Sequence, residues 1–264
     1  MCDQLGWTCG QAMTLPLKDR LTMRLMPSSF YYRRRLADEA RWGEHELDLL
    51  GEIVSPGGIA IDVGANQGFF AFAFSKIVDQ VEAFEPNPHY ADFARRMLGA
   101  RARVHEIALS NQGGAAELVV PLSEQGIALH LAGNLKEASA HHSNVMRFNV
   151  EVRTLDSYSF RHVHAIKVDV EGSEMEVLEG GRETILRDRP PLIVELLTGT
   201  HSDPIALTEQ ICATYDYAPW IVTSDRRKVE AEPVLHSLRS NTTWGSPIRN
   251  RNVLFLPRLS ARPT

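Results

Sequence analysis

Asp62, Gly64, Gly68 and Glu85 are the residues whose types and spacing first suggest chemistry. Three of them lie in I-A-I-D-V-G-A-N-Q-G-F-F (59–70), where an apolar run ends in an acid, turns through two glycines and enters a second apolar run. This is the pattern of a buried strand, a tight loop and a helix. Glycine takes positive φ and lets backbone approach a ligand closely. The helix that follows presents free N–H groups at its start, which suits a polar or anionic ligand. The loop is neither the G-x-G-x-x-G of dinucleotide sites nor a G-x-x-x-x-G-K-[ST] phosphate loop, and Asn66 stands where a middle glycine would lie. Glu85 closes the next strand, 21 positions past Gly64, where an acid can accept hydrogen bonds from both hydroxyls of a ribose. Asp62 disfavours a nearby phosphate and suits a ligand carrying an ammonium and a sulfonium. S-adenosylmethionine, an adenosine without phosphates, is such a ligand.

These residues need a framework, and the chain alternates strand and helix patterns. Residues 34–54 read as one amphipathic helix with Leu36, Ala40, Leu47, Leu50 and Val54 on its apolar face, ended by Ser55-Pro56-Gly57-Gly58. Expected strands follow at Ile59–Val63, Val81–Phe84, Val104–Ala108, Ile166–Val170 and Leu192–Leu196, with helices at Phe69–Ile77, His89–Leu98 and 203–214. Ser173-Glu174-Met175-Glu176 has the form of a capping box and opens a further helix towards Leu178. Tyr217–Val222 and Asn252–Leu256 read as strands at an antiparallel edge. The alternation predicts a doubly wound, mostly parallel α/β sheet with ligands at the carboxyl ends of its strands. Residues 111–150 break the rhythm with Gly113, Gly114, Gly126, Gly133 and the pair His141-His142, and read as an irregular hairpin insertion covering the site.

The bulk numbers bound the function classes. A chain of 264 residues with 44% hydrophobic content supports one large α/β domain with appendages. A net charge of −5 argues against binding nucleic acid through charge. Cys2, Cys9 and Cys212 form no C-x-x-C pair, so a disulfide framework or zinc site is not expected, and thiols in a reducing cytoplasm fit best. No leader pattern opens the chain and no apolar run reaches the ~20 residues of a membrane helix. Tyr31-Tyr32-Arg33-Arg34-Arg35 invites a nucleic-acid reading, and a solvated basic helix start is the simpler one.

The segments D-V-G-A-N-Q-G (62–68), F-E-P-N-P (84–88), A-L-S (108–110), T-L-D (154–156), I-K-V-D-V-E-G-S-E (166–174), V-E-L (194–196) and N-V-L-F-L-P (252–257) together resemble the FkbM family of S-adenosylmethionine-dependent methyltransferases. The resemblance implies a class I methyltransferase (Rossmann-like) fold with a seven-stranded sheet, and O-methylation of a natural product, sugar or glycolipid-type acceptor. It implies that Glu85 holds the ribose, that Asp62 orients the loop and the methionine ammonium, and that Gly64, Ala65, Asn66 and Gly68 form the loop. Pro86 and Asn87 shape the ribose side, and Ala108, Leu109 and Ser110 meet the adenine. One departure is the absence of a small hydroxyl residue after Gly68, where Phe69-Phe70-Ala71 stands.

Transfer to an alcohol needs a base, and Asp169, Glu171, His141 and His142 are the catalytic candidates, with His201 a further one. Asp169 faces the methionine end or the acceptor, Glu171 the acceptor, and Glu195 is either structural or acceptor-facing. Magnesium held by Asp169, Glu171 and Glu195 is the alternative activator, although no spacing demands a metal. Residues 1–54 are expected to form an N-terminal, acceptor-side segment and 55–264 the cofactor domain. Trp7 and Trp42 are candidates to line the acceptor groove, and Trp220 and Trp244 to pack. The expected partner is a small-molecule or saccharide acceptor. An RNA or protein methyltransferase, or a non-catalytic S-adenosylmethionine-binding protein, are the alternatives.

Overall fold

A computed structural model describes residues 27–42, 44–121, 145–196, 203–232 and 252–258. In chain order its strands are β1 (Ile59–Val63), β2 (Gln80–Phe84), β3 (Arg103–His105), β4 (Ala108–Leu109), β5 (Gly114–Pro121), β6 (Val145–Arg153), β7 (Val163–Val168), β8 (Leu192–Glu195), β9 (Tyr217–Val222), β10 (Lys228–Glu230) and β11 (Asn252–Pro257). The α-helices are α1 (Ser28–Trp42), α2 (Leu50–Ile53), α3 (Phe69–Phe74), α4 (Pro88–Leu98), α5 (Glu174–Gly180), α6 (Arg182–Asp188) and α7 (Pro204–Tyr215).

The main sheet has the order β10-β9-β11-β8-β7-β1-β2-β3. Its half from β8 to β3 is parallel throughout. The expected doubly wound sheet is therefore present, with eight strands where seven were expected. The additional strand is the three-residue β10, which closes the edge antiparallel to β9. The antiparallel β11 sits inside the sheet, between β8 and β9.

Period-2 alternation sends neighbouring strand residues to opposite faces. Ile61, Val63, Val168, Leu192 and Val194 belong to one core cluster, which also holds α5 and α7 residues such as Val177 and Ile211. Ala60, Ala83, Ala165, Ile193 and Leu254 belong to the other, with Tyr32 of α1, Phe72 of α3 and Phe93 of α4. The small residues of β1, β2 and β7 on that second face leave room for aromatic helices. The same parity carries Asp62, Lys167 and Glu195 to it, and all three are buried.

Several local expectations change. The single helix over 34–54 is replaced by α1, a 3₁₀ turn at His45–Asp48 and α2. Val104–Ala108 is divided between β3 in the main sheet and β4 in a second one. That second sheet, β4-β6-β5, contains the expected hairpin, and its described part is a regular antiparallel ladder from Gly114↔Val152 to Pro121↔Val145. Ser173 does precede α5, but its side chain makes no capping bond. The Glu174 carboxylate instead accepts the N–H groups of Val170 and Gly172, at 3.2 and 3.1 Å. Among the described residues no helix is long and apolar enough to cross a membrane.

Candidate active site

The loop after β1 needs its glycines. Gly64 has φ +75, and a Cβ there would lie 1.7 Å from the Asp169 carbonyl oxygen. Backbone from the end of β7 thus packs directly on the loop. Gly68 has φ +80 and is the N-cap of α3; a Cβ there would meet Leu98 at 2.9 Å and the Tyr32 hydroxyl at 3.2 Å. Asn66 between them also has positive φ, +48, a conformation that asparagine tolerates better than most residues. Gly64 and Ala65 donate to the Phe84 carbonyl at 2.9 and 3.0 Å, which ties the loop to the end of β2.

Both acids predicted for the cofactor hold this loop in shape. Asp62 accepts the Ala71 N–H at 2.8 Å, taking one of the unpaired donors at the start of α3. The Glu85 carboxylate accepts Asn66 N–H at 2.7 Å on one oxygen and Asn87 N–H at 2.8 Å on the other. Each carboxylate oxygen can accept a second donor, so Glu85 is fixed and still able to take ribose hydroxyls. Burial pushes both acids up, Asp62 to about 7 against the pull of Lys167 and the Ala71 N–H, and Glu85 to about 7 against the N–H groups of Asn87 and Asn66. Pro86 is half-buried beside Glu85. Asn87 is buried and caps α4, its side chain accepting His89 N–H at 3.0 Å.

A row of charged groups continues from Asp62 along the same face. Lys167 lies opposite Asp62 in the sheet register. Its side chain is 1% exposed, and its Nζ is 3.3 Å from Asp169 Oδ2. Glu195 is pushed well above the usual carboxylate range by burial, by the charge of Asp169 and by the hydrogen bond it makes to Asp169. Glu195 in turn lies opposite Asn252, whose amide donates to Glu44 and, at 3.1 Å, to Glu46. Asp169, Glu171 and Glu195 each place a carboxylate oxygen within 4.8 Å of the others. These are all oxygen donors, as magnesium takes. Yet Lys167 already sets a positive charge against Asp169, and Asp169 and Glu195 are bonded to each other. The set fits a shared proton and an ammonium better than a metal ion.

The structure thus brings Asp62, Gly64, Ala65, Asn66, Gly68, Glu85, Pro86 and Asn87 together, with Asp169 beside Gly64 and Glu171 in the following turn. Ala108 and Leu109 are buried in β4, and Ser110 donates its N–H to the Arg153 carbonyl at 3.0 Å. His141, His142, His201, Trp7 and Trp244 lie outside the described residues, as does the side chain of Trp42. The basic-aromatic segment of α1 divides in two. Arg33 and Arg34 are exposed, whereas Tyr31 and Tyr32 are buried against the loop. Sequence reasoning left out Lys167, Glu44, Glu46 and Gln67. For Lys167 a signal existed: a lone lysine between Ile166 and Val168, two residues before Asp169, shares that acid's face of the strand.

The family model described as "Methyltransferase FkbM domain" matches residues 62–213, more than half of the 264 residues. This chain belongs to the FkbM methyltransferase family. It is accordingly an S-adenosylmethionine-dependent methyltransferase. The FkbM chain is 30% identical over 176 residues to the 2-O-methyltransferase NoeI of Sinorhizobium fredii (strain NBRC 101917 / NGR234), which covers 59% of this chain and 72% of that protein. Among solved structures it is similar to methyltransferase FkbM from Methylobacillus flagellatus KT, at 16% identity and a TM-score of 0.48, over 80% of this chain and 50% of that one. The FkbM chain therefore spans half the length of that structure. It is also similar to SMU.1697c from Streptococcus mutans, solved in complex with SAH, at 13% identity and a TM-score of 0.39, over 64% and 79% of the two chains. The loop, Glu85 and the Lys167–Asp169–Glu195 group fall inside the FkbM match. Tyr31, Tyr32, Glu44, Glu46 and Asn252, which brace them, fall outside it.

Proposed function

We propose that this protein methylates a hydroxyl oxygen on a small-molecule or saccharide acceptor. The observation that carries the reading is the seating of Asp169 on Gly64, which sets the carboxylates of Asp169, Glu171 and Glu195 beside the cofactor loop. The identity to a 2-O-methyltransferase supports oxygen as the methylated atom.

In this reading Glu85 accepts the ribose hydroxyls, with Pro86 and Asn87 flanking them. Ala65, Asn66 and Gly68 offer loop backbone, and Ala108, Leu109 and Ser110 bound the adenine side. Asp62 braces α3 and turns negative charge towards the amino-acid end. Bound S-adenosylmethionine supplies a methyl group on a sulfonium, a good leaving group, so positioning carries much of the acceleration. As the new O–C bond forms and the C–S bond breaks with its electron pair on sulfur, the acceptor proton passes to Asp169 or Glu171. Residues 1–54 and the insertion at about 111–150 supply the remaining acceptor contacts. Three carboxylates against one ammonium make the acceptor side acidic, which favours a neutral polyol over a phosphate chain.

The test is methyl transfer from isotopically labelled S-adenosylmethionine to a panel of free and lipid-linked saccharides, read by mass spectrometry. The expected product carries the label on oxygen, and Glu171→Gln lowers kcat by about 100-fold while cofactor affinity is kept. Label on RNA or protein, or binding without turnover on any acceptor, would replace this reading with one of its rivals.

A further inference from the structure

The cofactor loop is an expensive shape. Three of its five residues from Gly64 to Gly68 have positive φ, and one of the three, Asn66, is not glycine. At a residue other than glycine such a conformation persists only where the surroundings hold it. Glu85 fixes the Asn66 N–H. Gly64 and Ala65 are tied to the Phe84 carbonyl. The Gln67 end of the loop is braced from α1, which lies outside the span of the family match.

Tyr32 donates its hydroxyl to the Gln67 carbonyl at 2.8 Å. Tyr31 donates to the Gln67 side chain, Oε1, at 2.6 Å. Gln67 and both tyrosines are buried. Gln67 is thus gripped twice, once through the peptide that joins it to Gly68 and once through its amide. Turning that peptide over would strip its carbonyl of the Tyr32 donor, a costly loss for a buried group. Packing alone does not call for tyrosine here. The Tyr32 ring stacks on Phe72 at 4.5 Å between centroids, a contact that phenylalanine would make equally well. The hydroxyls add the two bonds to Gln67. Arg35, one turn on, lies over the Phe69 ring at 5.3 Å and extends the contact to the first residue of α3.

We infer that Tyr31 and Tyr32 are positioning residues for cofactor binding, acting through Gln67 to hold the loop in its binding shape. The inference rests on residues 62–71 being the S-adenosylmethionine loop. It makes α1 part of the cofactor site in addition to the acceptor-side role proposed for residues 1–54.

The experiment uses the full chain with Tyr32→Phe, Tyr31→Phe, Gln67→Met and the Tyr31→Phe/Gln67→Met double variant. S-adenosylmethionine affinity is titrated by calorimetry, and KM, kcat and melting temperature are measured beside it. Tyr217→Phe is the control, because that tyrosine also donates a buried hydroxyl to a carbonyl, Pro190 at 2.7 Å, with β11, β8 and β7 between it and β1. The expected result is affinity weaker by about fivefold to tenfold in Tyr32→Phe, with KM for S-adenosylmethionine raised and kcat nearly unchanged. Tyr31→Phe and Gln67→Met should each weaken binding, and together by less than the product of their effects. Tyr217→Phe should melt earlier and bind as the parent does. A Tyr32→Phe protein that melts earlier but binds like the parent would overturn the inference, leaving the hydroxyl a stabilising group only. Failure of the parent chain itself to bind S-adenosylmethionine would overturn the loop reading, and this inference with it.

Discussion

Glu85 is occupied before any ligand arrives, because its two oxygens already hold the N–H groups of Asn66 and Asn87. Burial nevertheless leaves its carboxyl at about 7, and Asp62 stands at about 7 for the same reason. Ribose hydroxyls donate to the ionised form and stabilise it, so binding should release protons. Affinity for S-adenosylmethionine should be level above about pH 7.5 and fall below about pH 7, approaching tenfold per pH unit where one proton must leave. Calorimetry in buffers of different ionisation enthalpy reads both the affinity and the protons released. Glu85→Gln should bind more weakly and flatten that dependence. An affinity that stays constant from about pH 6 to 8 would show that neither acid meets the ligand in its charged form.

At the scale of elements, what the sequence revealed depended on whether one physical signal dominated. The apolar, β-branched runs of β1, β7 and β8 have no competing reading, and the D-x-G-x-N-x-G loop could be placed between a strand and a helix from its glycines alone. The break between α1 and α2 was hidden because Leu36, Ala40, Leu47, Leu50 and Val54 keep helical spacing across it. The 3₁₀ turn there is set by tertiary contacts, with Glu44 and Glu46 buried against Asn252 from the far end of the chain. The strand β10 is three residues long and its ends are charged, so no alternation announces it. The T-L-D segment also has a structural task. Asp156 accepts the N–H groups of Glu183 and Thr184, both at 2.9 Å, and so caps α6 from another element. Asp156→Ala should cost about 1–2 kcal/mol of stability and leave S-adenosylmethionine affinity unchanged. Denaturant unfolding beside a ligand titration checks this, and a large loss of affinity would move T-L-D from support to site.

For the molecule as a whole, the crowding of acids on one face of the sheet sets how stability depends on pH. Glu46 is pushed up to about 8 by burial and by the charge of Glu44, and Asp62 and Glu85 to about 7. Glu46 Oε1 and Asn252 Oδ1 are buried acceptors without a partner, and a proton on Glu46 supplies a donor between such groups. The folded state therefore keeps protons that the unfolded chain releases above about pH 4–5. The contribution of these three groups to the stability of the ligand-free protein therefore falls as pH rises from there to about 9, where all three have ionised in both states. Among the groups that act in the other direction are His89, whose imidazole burial holds below its ordinary value, and two carboxyls. Burial pushes Glu82 up, but hydrogen bonds from His105 and Gln80 outweigh it and hold the carboxyl below its ordinary value. Asp188 is likewise held low, because Arg187 and the Val163 N–H outweigh its burial. Their stabilisation is present above the unfolded values and is lost as pH falls through the folded ones. The melting temperature should therefore peak near pH 5 and be lower at pH 8 by at least about 5 °C. Saturating S-adenosylmethionine should shrink that difference, since it stabilises ionised Glu85 and Asp62. Glu46→Gln puts a permanent donor beside Asn252, so it should raise the melting temperature at pH 8 more than at pH 5 and leave cofactor affinity unchanged. A melting temperature that rises steadily from pH 5 to 8 in the ligand-free protein would mean that these three carboxyls are ionised in the fold and stabilised by their partners.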